Sequence, residues 1–438
     1  MLILGNLYQK NDILWVIVLS STPLDGYTPF KKSTVVDNIV MYQYNIQISD
    51  ENTTIKHNSK TYIIPNVKPE LNNTSVYYVS CDGQNTKKYN FSNPIKVYNV
   101  NDDTDMWKKL YMDITADTNI HKYVIHLGDQ VYMDDANDEL ITNKTENDTN
   151  VVRRTYYDAY KLNYDNEYKK NVLQSAYNIM IRDDHEIIND YGSIPNNLTP
   201  SMLVNLNDIY NIFQQDLYGV KEHNIKHLVF KDFQIIIPDL IKYRQLNTDN
   251  TTKYPIMGET QMIEFDNIVK NTQSKIKRTY YVSTIPLVGV NKLYKKTSYF
   301  FSGGRLNLEE KACYTVTPTR ETEQKYILDK LFELDNNVTI ICGDLHFAEC
   351  ITLVKNWKCI KQITTSPISS NVTLDFRNPF YEKIMAWLVN ALVYDRFIGN
   401  IFIHKNWFMF DYNYLKMNNE HDAILRCYND DNSKNITL

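Results

Sequence analysis

Residues 123–132 of the chain read YVIHLGDQVY, and this stretch indicates what kind of core to expect. Its first five residues are almost wholly apolar, as in a strand that is buried on both faces. Gly128 and Asp129 then end the run with a turn. A strand covered on both faces belongs to a sheet with helices on either side, so the stretch predicts an α/β fold. It also predicts that Asp129 lies at the carboxyl end of a core strand.

Three further apolar runs stop abruptly at acidic clusters in the same way. They are Ala176–Ile181 before RDDHE (182–186), Val338–Cys342 before GDLH (343–346), and Phe233–Pro238 before Asp239. In open α/β sheets, ligands bind outside the carboxyl ends of the strands. We therefore expect the four strand ends to gather carboxylates and imidazoles on one rim.

These acidic clusters predict a metal site. Ionised carboxylates in such number share a small volume only when cations neutralise them. A single cluster is also what a helix N-cap produces, but all of them together favour a site with oxygen and nitrogen ligands. The ligands exceed one coordination shell, which predicts two metal ions. Paired metals clamp a phosphoryl group and lower the pKa of a bridging water towards about 7, so the pattern indicates hydrolysis of phosphate esters.

The chain divides into three predicted segments. Residues 1–75 alternate short β-branched or aromatic runs with turn residues, which is typical of a small β-sandwich. Residues 76–378 carry the four strand ends and form the predicted catalytic domain. Helix-like segments alternate with its strands: Met106–Ile114, Arg153–Tyr168, Met202–Leu217, Thr260–Lys270 and Thr322–Leu334. Residues 379–438 are rich in aromatic side chains, and we predict a helical extension packed on the core.

Composition narrows the class of protein. Hydrophobic residues make up 43% and charged residues 23% of the 438 residues, which is the usage of a globular rather than a disordered chain. The net charge of −5 disfavours a general binder of nucleic acid or of anionic membranes. The six cysteines include no CxxC pair, which indicates thiols in a reducing compartment.

The sequence predicts a soluble chain with neither a transmembrane segment nor a signal peptide. The apolar run Ile13–Leu19 is too short for a signal peptide and is typical of a strand. The best membrane candidate, Ile384–Ile403, is interrupted by Asp395 and Arg396, so we predict a packed helix pair or hairpin there.

Eight elements of the chain occur in an order that is known from one family. They are Val79–Cys81, His126–Tyr132, Arg182–Ile187, Ile237–Arg244, Met257–Gln261, Val282–Leu287, Gly343–Phe347 and Thr365–Ser370. In these elements the chain resembles the PhoD-like alkaline phosphatases, a branch of the calcineurin-like metallophosphoesterases. The resemblance implies a four-layer αββα core that follows a small N-terminal β-sandwich domain.

The resemblance also implies a set of metal ligands. Asp129 would bridge two ions, while Cys81 and Tyr132 would bind the trivalent one, expected to be Fe³⁺. Asp184 is the ligand candidate for the second ion, for which Ca²⁺ is expected and other divalent ions are the alternatives. The full implied set is Cys81, Asp129, Tyr132, Asp184, Asp344 and His346.

Two further residues carry implied catalytic roles. His185 occupies the position of an imidazole that contacts the phosphate and protonates the leaving group. Arg244 is the candidate for holding the phosphate, because Ile241 stands where the family usually has its first arginine. Asp239 or Asn189 would complete the surroundings of the second ion.

The expected reaction is hydrolysis of small phosphate mono- or diesters by a hydroxide bound to a two-metal centre. One alternative is a catalytically silent relative that serves as a structural or interaction protein, which the replacement of arginine by Ile241 slightly favours. Another is a nuclease or phospholipase on the same fold. The acidic balance and the lack of a basic stripe make nucleic acid the weaker choice of substrate.

Overall fold

The structure is a computed structural model that describes most of the chain. The described residues are 1–49, 52–83, 87–90, 93–97, 105–192, 195–219, 224–246, 252–288, 317–344, 346, 348–369, 397–409, 412–417, 423–429 and 432–437. Among these residues, no helix is both long enough and apolar enough to cross a bilayer.

The N-terminal region is built from strands, as predicted. Its strands are β1 (Leu2–Lys10), β2 (Ile13–Ser20), β3 (Lys31–Val36), β4 (Ile39–Gln47), β5 (Thr53–His57) and β6 (Lys60–Ile64). The first four form an antiparallel sheet in the order β1-β2-β4-β3, and β5 and β6 form a hairpin. Ile55 and Ile64 of the hairpin join the apolar cluster that contains Val16 and Val18 of β2, so the two layers share one core.

The core alternates strands and helices along the chain. Its elements up to the last helix are β7 (Thr74–Val79), β8 (Lys87–Asn90), β9 (Asn93–Val97), α1 (Met106–Ala116), β10 (His121–Leu127), α2 (Asp134–Thr142), α3 (Thr149–Tyr164), α4 (Glu167–Ser175), β11 (Tyr177–Ile181), α5 (Pro200–Phe213), β12 (Lys226–Val229), β13 (Phe233–Ile237), α6 (Gly258–Lys270), β14 (Arg278–Ser283) and α7 (Pro318–Glu333). The strands that follow are β15 (Asn337–Cys342), β16 (Ala348–Lys355), β17 (Lys358–Thr364), β18 (Phe397–Ile398), β19 (Ile401–Met409), β20 (Tyr412–Met417), β21 (Ala423–Asn429) and β22 (Asn432–Thr437).

Two large sheets make up the core. One has the order β11-β10-β7-β20-β21-β22, and the other has the order β12-β13-β14-β15-β17-β16-β19-β18. Strands β7, β10 and β11 run parallel to one another, as do β13, β14, β15 and β17. Parallel strands end at the same edge of their sheet, which places the predicted acidic ends together.

Successive side chains along each strand point to opposite faces of the sheet. Ile125 of β10 and Ile235 of β13 point into one apolar cluster between the two sheets. Their neighbour Val124 packs with Trp107 of α1 on the outer face of the first sheet. Ile236 packs with α6 and α7 on the outer face of the second sheet. One face of each sheet packs against the other sheet, and the opposite face packs against helices. The layers are helix, sheet, sheet and helix, and the predicted four-layer αββα fold is confirmed.

The described part of the C-terminal segment differs from the predicted helical extension. It consists of strands, of which β19 pairs with β16 and β20 pairs with β7. Ile401 and Ile403 are buried whereas Phe402 between them is 40% exposed, which is the two-residue period of a strand. The prediction relied on aromatic content instead of this period. Residues 379–396, including most of the predicted helix pair or hairpin, lie outside the described residues, and the boundaries at 75 and 378 stay predictions.

Candidate metal centre

The ends of strands from both sheets meet at one rim. The backbone N–H of Cys81, after β7, donates to the carbonyl of Gly128, after β10, over 3.2 Å. In the second sheet, the N–H of Gly343 donates to the carbonyl of Thr284 over 3.0 Å. The Ser80 hydroxyl joins the two sheets by donating to the carbonyl of Thr365 over 2.9 Å. The rim is therefore a hydrogen-bonded structure and not a set of loose loops.

Two glycines allow the strand ends to come this close. A Cβ atom on Gly128 would lie 2.6 Å from Cβ of Asp183, and one on Gly343 would lie 2.8 Å from Cβ of Ser80. Real Cβ atoms do not approach so closely, so each contact requires glycine. Gly128 also has a φ of +99°, which favours glycine for a second reason.

Four of the predicted ligands have left-handed backbone conformations. The φ angles are +55° at Cys81, +57° at Asp129, +70° at Asp344 and +53° at His346. Each such residue costs on the order of 1 kcal/mol or more, and such strain concentrates at sites where function requires a fixed direction of the side chain. The conformations support a functional role for this rim.

The first group of potential ligands contains Cys81, Asp129 and His346. One ligand atom from each lies within 4.8 Å of the others, and Sγ of Cys81 is 3.5 Å from Oδ2 of Asp129. The hydroxyl of Tyr132 is 3.1 Å from Nε2 of His346, which places the phenol beside the same group. Three of these four residues, Cys81, Asp129 and Tyr132, are the ones that the resemblance assigns to the first ion, and His346 is the addition that the structure makes to the group.

The second group contains Asp129, Asp184 and His185, again with ligand atoms within 4.8 Å of one another. Asp129 is the member that both groups share. Asp344 is buried. It is close enough to Cys81 and Asp183 for its charge to add to the rise that burial causes in the pKa values of both. The structure thus brings Cys81, Asp129, Tyr132, Asp184 and His346 to one rim, whereas Asp344 belongs to neither ligand group.

The protein alone does not balance the charges of this rim. Burial raises the pKa of Asp129 well above its usual value; the charge of His185 opposes this rise, and nearby Cys81 and Asp184 add to it. Burial also raises the pKa of the Cys81 thiol to about 12. Oδ1 of Asp129 is buried without a hydrogen-bond partner among the described residues. A bound cation would reverse both pKa shifts and supply that partner, so the donors present fit metal ions.

His185 has a carboxylate partner that the sequence analysis missed. Nδ1 of His185 lies 2.7 Å from Oδ2 of Asp134, and the other oxygen of Asp134 accepts the N–H of Asn189 over 2.8 Å. Burial lowers the pKa of His185, but Asp184, Asp129 and Asp134 together raise it well above its usual value. The available signal was that Asp134 begins helix α2 two residues after Tyr132.

Glu186 is a second residue that the sequence analysis missed. Its buried carboxylate accepts backbone N–H groups from Asp129 at 3.0 Å, Gln130 at 2.5 Å and Asp183 at 2.7 Å. Burial raises its pKa to about 7 against the opposing effect of these bonds. Glu186 thereby ties the loop after β10 to the loop after β11, and only the three-dimensional contact reveals this.

Arg244 and Asp239 have protein partners in the structure. The fully buried side chain of Arg244 forms an ion pair with Asp183 over 3.3 Å. Asp239 pairs with Arg182 over 3.3 Å and belongs to neither ligand group. Ile241 is buried in an apolar cluster that includes α3 and α5. The predicted phosphate contact of Arg244 stays a prediction.

A cavity of about 730 Å³ lies away from this rim. It is lined by residues of β12, β13 and α6, among them His227, Val229 and Ile263. None of the predicted site residues lines it. The ligand groups, and not the size of this cavity, therefore mark the candidate site.

Comparisons with known proteins agree with this site. A family model described as PhoD-like phosphatase matches residues 98–206, which contain Asp129, Tyr132, Asp184 and His185. The fold is similar to a solved structure of PhoD with a TM-score of 0.60 and 11% identity, covering 100% of this chain and 88% of the other. It is also similar to the purple acid phosphatase PPD1 from yellow lupin (Lupinus luteus) seeds, with a TM-score of 0.53 and 11% identity, covering 100% of this chain and 73% of the other.

No curated protein matches the chain in sequence. The two similar structures show the fold, and the family model matches residues 98–206 in sequence. The family model over residues 98–206 and the fold confirm the predicted resemblance to the PhoD-like phosphatases, which are hydrolases of phosphate esters.

Proposed function

We propose that the chain hydrolyses small phosphate mono- or diesters at a centre of two metal ions. The observation that supports this most strongly is the position of Asp129, whose carboxylate belongs to both ligand groups. A carboxylate shared by two groups is what a pair of adjacent ions requires. The acidic net charge favours a small ester over nucleic acid as the substrate.

Cys81, Asp129, Tyr132 and His346 are proposed to hold the first ion. Thiolate and phenolate ligands must both be deprotonated, which a cation of high charge such as Fe³⁺ favours. Tyr132 is proposed as a ligand because its hydroxyl lies beside His346.

Asp129, Asp184 and Asp344 are proposed to hold the second ion. All three are carboxylates at strand ends, and oxygen ligands suit a hard cation such as Ca²⁺. When bound, the two ions would supply an activated water molecule and offset the charge of the reacting phosphate.

The protein residues position the substrate and move a proton. Nδ1 of His185 is occupied by Asp134, which leaves Nε2 to protonate the departing oxygen of the ester. Arg244 is proposed to contact the phosphate, and its pair with Asp183 places the guanidinium beside the loop that carries Asp184.

Activity and metal content test the proposal together. The purified chain is expected to contain two ions by elemental analysis and to hydrolyse p-nitrophenyl phosphate or bis-p-nitrophenyl phosphate, and a chelator should abolish turnover. Asp129→Asn should lower kcat/KM by more than about 100-fold, beyond the effect of changing a residue that only supports a ligand, and should reduce the content of both ions. Asp138→Asn, an exposed carboxylate on α2, is the matched control.

Three outcomes separate the alternatives. A chain that binds metal but turns over neither ester would favour the catalytically silent relative. Full activity in Asp129→Asn would contradict the shared ligand. Loss of only one of the two ions in Asp129→Asn would show that Asp129 binds one metal and is not shared.

A further inference from the structure

The hydroxyl of Ser366 lies between two of the proposed ligands of the first ion. Ser366 follows β17 and is fully buried. The backbone N–H of His346 donates to its Oγ over 3.2 Å. Its Oγ donates in turn to Sγ of Cys81 over 2.9 Å. One hydroxyl group thus contacts a proposed sulfur ligand and the backbone of a proposed imidazole ligand.

The direction of these two hydrogen bonds follows from the atoms involved. A backbone N–H can only donate, so Oγ of Ser366 must accept from His346. The single hydroxyl proton then remains for Sγ of Cys81, which acts as the acceptor. A hydrogen bond donated to sulfur favours the thiolate over the thiol and withdraws electron density from it.

The position of Ser366 is itself fixed by a residue of β20. The amide nitrogen of the Asn413 side chain donates to the carbonyl of Ser366 over 2.7 Å. Its amide oxygen accepts from the hydroxyl of Thr365 over 2.8 Å, and its backbone N–H donates to the carbonyl of Pro367 over 2.9 Å. Three bonds from one buried residue therefore hold the loop on both sides of Ser366.

We propose that Ser366 is a positioning residue that donates a hydrogen bond to the thiolate of Cys81 and holds His346 by its backbone. The inference rests on the proposed role of Cys81 and His346 as ligands. Ser366 sets the direction of the sulfur and reduces its electron donation to the bound ion. Substrate contact forms no part of this role.

Cobalt(II) is the probe for this inference, because a thiolate ligand gives it a sulfur-to-metal absorption band. In Ser366→Ala the band should move to lower energy, since the sulfur has lost a hydrogen bond. The affinity for Co²⁺, measured by competition with a coloured chelator, should fall by about 10–100-fold, as for other residues that support a ligand. Ser366→Thr keeps the hydroxyl and should restore both values.

Ser369→Ala is the matched control, since its hydroxyl binds Asp82 and not a proposed ligand. The band and the affinity should be those of the parent chain. If Ser366→Ala does not fold, Asn413→Ala removes the side-chain bonds that place Ser366 and should give the same shift. A folded Ser366→Ala or Asn413→Ala with an unchanged band overturns the inference.

Cys81→Ala separates this inference from the proposed function. A band that is present in the parent, absent in Cys81→Ala and unchanged in Ser366→Ala leaves the sulfur ligand in place and rejects Ser366 alone. A parent chain that binds Co²⁺ without a sulfur band overturns both the ligand role of Cys81 and the role of Ser366.

Discussion

The imidazole of His185 is held from two sides. Asp134 lies 2.7 Å from its Nδ1, and the ring of Tyr132 lies against it with a distance of 4.2 Å between ring centroids. A ring held by a carboxylate and an aromatic face keeps one nitrogen directed away from both. This arrangement suits a group that must deliver a proton to one atom.

Asp134→Asn should lower kcat by at least about 10-fold, because the imidazole loses the carboxylate that orients it and favours its protonated form. The loss should be greater for phenyl phosphate than for p-nitrophenyl phosphate, since the poorer leaving group depends more on protonation. Metal content should not change. An equal loss with both esters would contradict the role of His185 as a general acid.

The sequence indicates a functional role for some residues of the site and not for others. Asp129 and Asp184 were predictable because they lie two and three residues, respectively, after the end of an apolar run. Glu186 and Ser366 were not assigned roles, since their partners lie in loops from other strands. His126 lies in the apolar run of β10 and is buried, and its Nε2 lies 3.1 Å from the side-chain oxygen of Asn178.

The loops that follow the core strands contact one another at glycine positions, and Gly128 is one of these positions. Gly128→Ala should destabilise the protein by roughly 1–2 kcal/mol from its positive φ and by a further 1–3 kcal/mol from the contact with Asp183. It should also weaken metal binding, because the loop after β10 must move. Gly26→Ala is the control, since it has a φ of +80° with nothing within 4 Å. Equal losses in chemical denaturation would contradict a role for the contact.

The edge strand β12 carries a buried lysine. Burial lowers the pKa of Lys226 to about 7, with Asp239 opposing the shift, and its Nζ donates to the carbonyl of Met180. The folded state therefore favours the neutral amine. The stability from this group is complete above the unfolded pKa near 10.4 and is lost as the pH falls towards 7, at about 1.4 kcal/mol per pH unit.

Lys226→Met should therefore gain stability relative to the parent as the pH falls from 10 to 7. Urea unfolding at the two pH values measures the difference. Lys60→Met, at an exposed position on β6, should show no such trend. A difference between Lys226→Met and the parent that is the same at both pH values would contradict the prediction.

Strands and helices were predictable where the pattern of apolar residues along the sequence was clear. The runs that became β10, β11, β13 and β15 were each recognised, as were five helices of the core. The segment Arg153–Tyr168 was predicted as one helix but spans α3 and α4, which are separated by Asp165 and Asn166. The C-terminal strands were missed because their partners β16 and β7 lie far away along the chain.

The C-terminal strands belong to the two large sheets of the core. Lys416 of β20 pairs with Asp117 over 3.0 Å, and Arg426 of β21 pairs with Asp113 of α1 over 3.0 Å. Strand β20 pairs with β7, the strand that precedes Cys81. These contacts make the C-terminal strands part of the core and not an appendage.

A chain that stops at residue 396 should lose cooperative unfolding, because β7 and β16 would each lose a neighbouring strand. Circular dichroism during heating measures the transition. A chain that stops at residue 430 lacks only β22, which lies at the edge of its sheet, and should keep the transition. A cooperative fold and metal binding in the shorter chain would show that the C-terminal strands are dispensable.

The order of Asn413 and the proposed ligands along the chain has a consequence for biosynthesis. Every proposed ligand, from Cys81 to His346, leaves the ribosome before β20 does. A nascent chain therefore displays the complete donor set while the loop of Ser366 still lacks the three bonds from Asn413. An ion bound during translation would meet an unfinished site, because the hydrogen bonds around the sulfur of Cys81 are complete only when β20 docks beside β7.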